Sequence, residues 1–400
     1  MNLIHFSAEH LRLNAPLPFG LRDAGGRLLL AAGAAVCSAD KLDSLRDEEL
    51  YCDEEESNEW RRKLGAAVGV MLRQNAPLKS IAEARPDTRR AAASETRANL
   101  PDEWDSLCVL LDRALHEAKP EPGFLARIRL VHERATHLAD GHEDASLYHL
   151  VHGAGQRVQM YSSHHALLVM LVGVQAARLL EWPEAAVRSL GLAALTMNAA
   201  MTELQDHLAA SDRPLTAAMH EQIRQHASKG VELLRAAGAD DALWLEAVRL
   251  HHDRGDGQMA LRELPEAQRL ARLLRRVDIF TAKISCRRTR AAMSPVLAAR
   301  EACLGSDGVP DEVGAALLRA TGMYPPGSCV ELANGERGIV VARGRRANLP
   351  WVASLVAPSG LPLGEPVLRD TVDARYAVRA ALPRQQLKVW PDHQRILALR

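Results

Sequence analysis

Among the sixteen histidines of this 400-residue chain, His164-His165, His226 and His251-His252 stand out, together with Asp253, Asp256 and Asp278. Imidazole and carboxylate groups hold divalent cations, and a set drawn from several helices can converge on one site. One histidine on an apolar helix face is usually a packed core residue, but several recurring where helices would meet shift the odds. Imidazoles joined by the Asp278 carboxylate suit a mixed site for iron, manganese or zinc. Arg287, Arg288 and Arg290 follow Asp278, and their guanidinium forks match phosphate oxygens. A basic cluster after a helix is more commonly a solvated last turn.

Helices must position these groups. From Trp104 to about Ala320 apolar residues recur at i, i+3 and i+4, with breaks at Gly141, Pro183, Pro214, Gly255 and Pro295. This predicts a helical domain over 104–320. His165 begins the run His-Ala-Leu-Leu-Val-Met-Leu-Val-Gly, His226 lies in Ile-Arg-Gln-His-Ala-Ser-Lys-Gly, and His251-His252 close a helix before Asp-Arg-Gly-Asp-Gly. Before the domain, two apolar runs within 15–36 flank a turn at Asp23 to Gly26, so 1–52 reads as a small β-rich unit. Residues 53–103 read as a polar linker with one helix over 59–74; its run Asp53-Glu54-Glu55-Glu56 is solvated surface, lacking the spacing of a calcium loop. After Gly322 strand-like runs flank Asn334-Gly335, a type I′ hairpin signal, which makes 321–400 a second small β-rich unit. The expected fold class is mainly α, a helical bundle flanked by β-rich N- and C-terminal units.

Composition narrows the function. Fifty Lys and Arg against fifty Asp and Glu, with a pI of about 7.3, leave no global field for a polyanion, so a nucleic acid polymer is not an expected partner. The chain is 47% apolar but only 4% aromatic, which favours helices over a sandwich or barrel. Cys37, Cys52, Cys108, Cys286, Cys303 and Cys329 form no C-x-x-C, pointing to a reducing compartment. The most apolar run, Ala166 to Val174, is half of a membrane span, and Met1-Asn2-Leu3-Ile4-His5 has no leader-like basic and apolar regions, so a cytoplasmic location is expected. P-loop, Rossmann and G-x-S-x-G fingerprints are missing, which removes nucleoside-triphosphate, dinucleotide-cofactor and serine-hydrolase readings.

The ordered set over about residues 160–300 resembles the HD-GYP family, a branch of the metal-dependent HD phosphohydrolases that linearises cyclic di-GMP. The resemblance implies an all-helical HD-type bundle, with His165, His226, His251, His252 and Asp278 at positions that ligate two or three metals, usually iron or manganese. The family's central Leu-His-Asp-Ile-Gly-Lys is replaced by Leu195-Thr196-Met197-Asn198-Ala199-Ala200-Met201, and its Gly-Tyr-Pro by Gln258-Met259-Ala260. A two-metal phosphodiesterase needs ions about 3.5–4 Å apart, joined by a bridging carboxylate. Asn198 has no charge, Met197 offers a soft thioether, and Met201 removes a cation that would meet phosphate. The Leu and Met side of this segment can simply pack. Tyr161, where the family often has a carboxylate, reads as packing too.

The expectation is therefore a degenerate HD-GYP-like regulator of cyclic di-GMP signalling, catalytically impaired, that binds the dinucleotide or a signalling protein, with Arg287, Arg288 and Arg290 as ligand-binding candidates. The alternative is a residual phosphodiesterase with one ion on His226, His251, His252 and Asp278, and His165 positioning water or phosphate. One iron, manganese or zinc ion, or none, is expected, and a homodimer is left open.

Overall fold

The computed structural model describes residues 3–7, 11, 17, 19–30, 45, 49–54, 57 and 100–400, apart from 254–258, 290–291, 305–308, 388 and 390. The chain forms two compact units, Met1–Glu95 and Thr96–Arg400.

In the first unit β1 (Leu3–Phe6), β2 (Leu21–Arg22), β3 (Leu28–Leu30) and β4 (Leu50–Asp53) make an antiparallel sheet in the order β1-β4-β2-β3. The expected turn joins β2 to β3. Asp23 Oδ1 accepts from the amides of Gly25 and Arg27 at 3.0 and 2.9 Å, and Gly26 adopts φ +82°, a conformation that favours glycine. Leu17, Phe19, Leu21, Leu50 and Cys52 bury the inner side. The helix expected over 59–74 lies outside the described residues.

The second unit holds the helices α1 (Leu100–His116), α2 (Pro122–Ala139), α3 (Glu143–Ala154), α4 (Tyr161–Leu179), α5 (Glu184–Thr196), α6 (Thr202–Ala210), α7 (Ala217–Ala236), α8 (Ala242–Leu250), α9 (Glu266–Ile284), α10 (Pro295–Cys303) and α11 (Glu312–Thr321). The chain is mainly helical, with small sheets at either end. Local chemistry sets the helix starts: Thr216, Asp241 and Asp311 cap α7, α8 and α11 by accepting from the amides of Met219, Trp244 and Gly314. Pro295 stands in the first turn of α10, where its missing N–H costs nothing.

Helix α4 is the axis of the bundle, buried from Tyr161 to Ala177 and packed on α1, α3, α5, α9 and α11. It starts one turn before His165, the start read from the sequence, because Met160 turns the chain at φ +50° and Asp206 caps the first turn. The Asp206 carboxylate accepts from Ser162 N at 2.7 Å and from Ser162 Oγ at 3.0 Å. Helix α9 buries Leu270, Leu273, Leu274, Val277, Phe280 and Ile284 at three- and four-residue spacing, which leaves Asp278 beside the seam with α4. Trp244 on α8 is fully buried and donates Nε1–H to Thr196 Oγ1 at 2.8 Å, tying α8 to the end of α5.

After α11, β5 (Cys329–Leu332), β6 (Arg337–Ala342), β7 (Trp351–Val356), β8 (Pro362–Asp370) and β9 (Val378–Leu382) form an antiparallel sheet in the order β8-β7-β6-β5-β9. Alternation splits it into two cores: Ile339, Val341 and Ala353 pack with Tyr148, Ile396 and Leu397, while Val330, Val340 and Val352 pack on the other face. The β5–β6 hairpin is present but its turn differs from the expected type I′. Gly335 N donates to Leu332 O at 2.9 Å and Leu332 N to Glu336 O at 2.8 Å, and of Asn334 and Gly335 only the glycine has positive φ. The connection is a three-residue loop with a glycine bulge, since Asn334 spends its side chain on the Glu336 amide at 3.0 Å. No helix among the described residues is long and apolar enough to cross a membrane.

Candidate metal centre

Helix α7 carries His226, and α8 delivers His251 at its C-cap with His252 next in the chain. The Nε2 of His226 lies 3.1 Å from His251 Nε2 and 3.2 Å from His252 Nε2. All three ligand atoms fall within 4.8 Å of one another. The second ring nitrogens explain the arrangement. His226 Nδ1 sits 2.5 Å from Ile223 O and His251 Nδ1 2.6 Å from Val248 O. A carbonyl only accepts, so Nδ1 carries the proton in both rings and the Nε2 lone pairs face each other. Tying one ring nitrogen to a backbone carbonyl is how a metal-ligating histidine is oriented. Burial pushes both imidazoles down, His251 to about 3, so they are neutral near pH 7 and able to ligate. His252 is the solvent-exposed member, also lowered by burial against the opposing charge of Asp278.

His165 and Asp278 form a separate pair. His165 Nε2 lies 2.8 Å from Asp278 Oδ1 across the α4–α9 seam. Burial alone would raise the carboxyl, but the His165 hydrogen bond and the surrounding imidazoles hold it below its ordinary range. His165 Nδ1 is buried with no hydrogen-bond partner. Tyr161 stacks on the His165 ring with centroids 5.8 Å apart and planes within 6°. Arg287 donates from Nη2 and Nε to Tyr161 Oη at 3.0 and 3.2 Å, with its guanidinium carbon 5.1 Å from the ring centroid. The tyrosine is thus packing, as expected, and it also anchors Arg287.

The other candidates sort by environment. His164 points away from its neighbour: its Nε2 is buried, unpartnered and set against Gly153, where an added Cβ would stand 2.6 Å away. It is a core residue, since consecutive positions on a helix face different neighbours. Met197 is buried at the end of α5, while Asn198 leads into the 3-10 turn Ala199–Met201, which packs on α7. Met201 is half-buried. Asp253 is exposed outside the cluster, and the Arg288 side chain is exposed, although its amide donates to Ala209 O at 2.8 Å. Asp256, Gln258 and Arg290 lie outside the described residues, and Met259 is exposed.

Sequence reasoning missed a second group, Asp112, His116 and Asp206, whose ligand atoms also approach within 4.8 Å. Asp112 and His116 share a face of α1 at i, i+4, but Asp206 stands far along the chain on α6, and no spacing marks the set of three. Asp206 and Asp112 accept from Ser162 and Ser163 at the start of α4, so this group serves the helix cap.

No family model matches the chain. A curated relative does: the cyclic di-GMP phosphodiesterase PA4108 of Pseudomonas aeruginosa is 28% identical over 191 residues, 47% of this chain. The resemblance to the HD-GYP family stands. The match takes in 46% of that relative, so this chain spans about half the length of the curated protein it matches. Among solved structures, the HDG"Y"P protein Bd1817 of Bdellovibrio bacteriovorus aligns with 79% of this chain and 98% of its own, at 14% identity and a TM-score of 0.41.

Proposed function

We propose that this chain is a catalytically impaired HD-GYP-like protein of cyclic di-GMP signalling, which binds the dinucleotide or a signalling protein. The activity named for the curated relative supplies the ligand class. The observation that carries the reading is the 2.8 Å closure of His165 on Asp278, with Met197-Asn198 where the family has its His-Asp pair. A dinuclear centre needs an anionic oxygen between ions about 3.5–4 Å apart, and the neutral Asn198 amide is a poor substitute. His226, His251 and His252 are the residues that fit a single iron, manganese or zinc ion; when bound, such an ion supplies Lewis acidity toward a phosphate oxygen or water. For phosphate the chain offers the guanidinium fork of Arg287, held on Tyr161, with Arg288 and Arg290 as candidates from the sequence. Among the described residues the thiols of Cys108, Cys286, Cys303 and Cys329 form no disulfide, which suits a reducing setting.

A second reading, residual phosphodiesterase activity with one ion on His226, His251, His252 and Asp278, is favoured by the convergence of the three Nε2 atoms. The two separate in one assay. Anaerobically purified protein is incubated with cyclic di-GMP and ferrous or manganous ion, beside the triple variant Met197→His, Asn198→Asp, Met201→Lys. No linear product from the native chain, and product from the triple variant, is expected. Native turnover that disappears in His252→Ala would install the second reading instead.

A further inference from the structure

We propose that Tyr148, His152 and His393 form an acid-sensitive latch, which holds helix α12 (His393–Leu397) on α3 at neutral pH and lets it go on acidification while the bundle stays folded. Neither a metal nor a dinucleotide enters into it.

The latch is built from three rings. Tyr148 and His152, one turn apart on α3, stack with centroids 6.0 Å apart and planes within 4°. His393, the first residue of α12, sits against both: its Nδ1 lies 2.8 Å from Tyr148 Oη, and its ring centroid is 4.5 Å from that of His152. The chain before β5 closes on the same spot, where a Cβ on Gly327 would stand 2.5 Å from Tyr148 O and 2.9 Å from His152 N. Beside the rings Tyr148, Leu387, Ile396 and Leu397 bury a shared apolar cluster.

The groups around the rings favour their neutral forms in the docked state. Burial first, then the adjoining His393 ring, Arg384 and His149, lowers His152 below the ordinary 6.5. Burial first, then His149, Arg384 and Arg157, lowers His393. Gln156 Nε2 donates to His152 Nε2, so that nitrogen already faces a donor. Two groups pull the other way and are outweighed. The Gly327 backbone hydrogen-bonds the His152 ring, and Asp392 attracts charge on His393. The Asp392 carboxylate is committed within α12, accepting from Arg395 N at 3.1 Å and pairing with Arg395 Nε at 3.2 Å. Burial raises the Tyr148 phenol and the neighbouring Cys329 thiol, so both stay neutral and neither offsets an imidazolium.

Protons therefore enter the open form more readily than the docked one. Histidines in the open form titrate at about 6.5, so between pH 7.5 and 5.5 the ratio of open to docked chains rises by up to about tenfold for each ring. The element released is the weakly held one. Helix α12 has five residues and buries Ile396 and Leu397, whereas α4 is buried from Tyr161 to Ala177. Short elements with few buried contacts open well below the cost of global unfolding. Release bares the Tyr148 side of α3.

Hydrogen exchange of the full chain, read by mass spectrometry at pH 7.5 and 5.5 and corrected for the intrinsic rate at each pH, tests the latch. Amide protection over residues 393–399 is expected to fall at least about fivefold from the higher pH to the lower, while α4 keeps its protection. The double variant His152→Leu, His393→Leu replaces both titrating rings with apolar side chains and is expected to keep less than half of that fall. His393→Asn retains a polar partner for Tyr148 without a titrating ring; its fall is expected to be smaller than the native one, and it decides the matter if the leucine pair does not dock at pH 7.5. A smaller native fall, a docked double variant that keeps half or more of it, an unchanged fall in His393→Asn, or loss of α4 protection in step with α12 would each overturn the proposal.

Discussion

The α7–α8 cluster and the α4–α9 pair use the same residue type to opposite ends. In His226 and His251 the Nδ1 protons are given to carbonyls within their own helices, and Nε2 is left to face its neighbours. In His165 it is Nε2 that is taken up, by Asp278, and Nδ1 that is left over in the core. Whether an imidazole can ligate is therefore decided by what occupies its other nitrogen, not by burial: His165, His226 and His251 are all buried. His132 and His164 extend the lesson. Each hides an unpartnered Nε2 against a glycine, Gly191 and Gly153 respectively, and neither meets a second donor.

The largest expected effect comes from the residue that braces the cluster side alone. Trp244→Ala removes a fully buried indole about two turns before His251, together with its bond to Thr196, and is expected to cost about 3–5 kcal/mol in denaturant unfolding. Trp244→Phe keeps most of the packing and loses the N–H, so about 1–2 kcal/mol is expected. Equal losses in the two variants would show that the hydrogen bond, rather than the ring, braces α8.

On the pair side, Asp278→Asn leaves His165 beside a neutral amide and is expected to cost about 1.5–3 kcal/mol. The folded pKa of Asp278 lies below its ordinary 3.8, so its contribution is present above that value and is lost as pH falls through the lower, folded one. Native protein should accordingly lose stability below about pH 4 more steeply than Asp278→Asn, as read from unfolding midpoints. Parallel acid limbs for the two proteins would mean that the pair contributes no ionised stabilisation.

Spacing along the chain made much of this legible. The 3.6-residue period marks α7, α8 and α9, an unbroken apolar run marks the all-round buried α4, and the order His165, His226, His251-His252, Asp278 marks the candidate set. What spacing cannot convey is which neighbour a helix face meets. His164 and His165 look interchangeable in sequence, yet one meets Gly153 and the other Asp278. The same limit hid the division of one candidate set into two, because a pairing between α4 and α9 is a tertiary choice made by the packing of Val277, Phe280 and Ile284. Asp206 was invisible for the same reason: its job, capping α4, is done from another helix. The glycine bulge after β5 turned on a side-chain bond from Asn334 that the Asn-Gly dipeptide does not specify.

Packed and ligating histidines can also be told apart by titration. Burial lowers His164 and His251 from 6.5 to about 3. Below pH 6.5 the unfolded chain takes up these protons while the folded chain does not, so stability falls as pH falls through that window, by about 1.4 kcal/mol per pH unit for each proton. His164→Leu removes one such proton, and the slope of unfolding free energy against pH between 6 and 4 should drop by about that amount. An unchanged slope would show that His164 is not held neutral. Added zinc should steepen the fall in the native protein and in His164→Leu alike, since protons and cation compete for the cluster and not for the packed ring.

The smallest effect tests how local the cluster is. Thr216 caps α7 by accepting from Met219 N at 3.2 Å, nearly three turns before His226, and Thr216→Ala is expected to cost about 1 kcal/mol. The carbonyls that orient the cluster, Ile223 O and Val248 O, lie within one turn of the rings they hold. Fraying the first turn of α7 should therefore lower the unfolding midpoint and leave zinc affinity where it was. Should zinc binding weaken tenfold or more in Thr216→Ala, the lone pairs would be aimed by the whole helix and not by its local carbonyls, and the contrast with the α4–α9 pair would rest on helix packing instead of on ring tautomers.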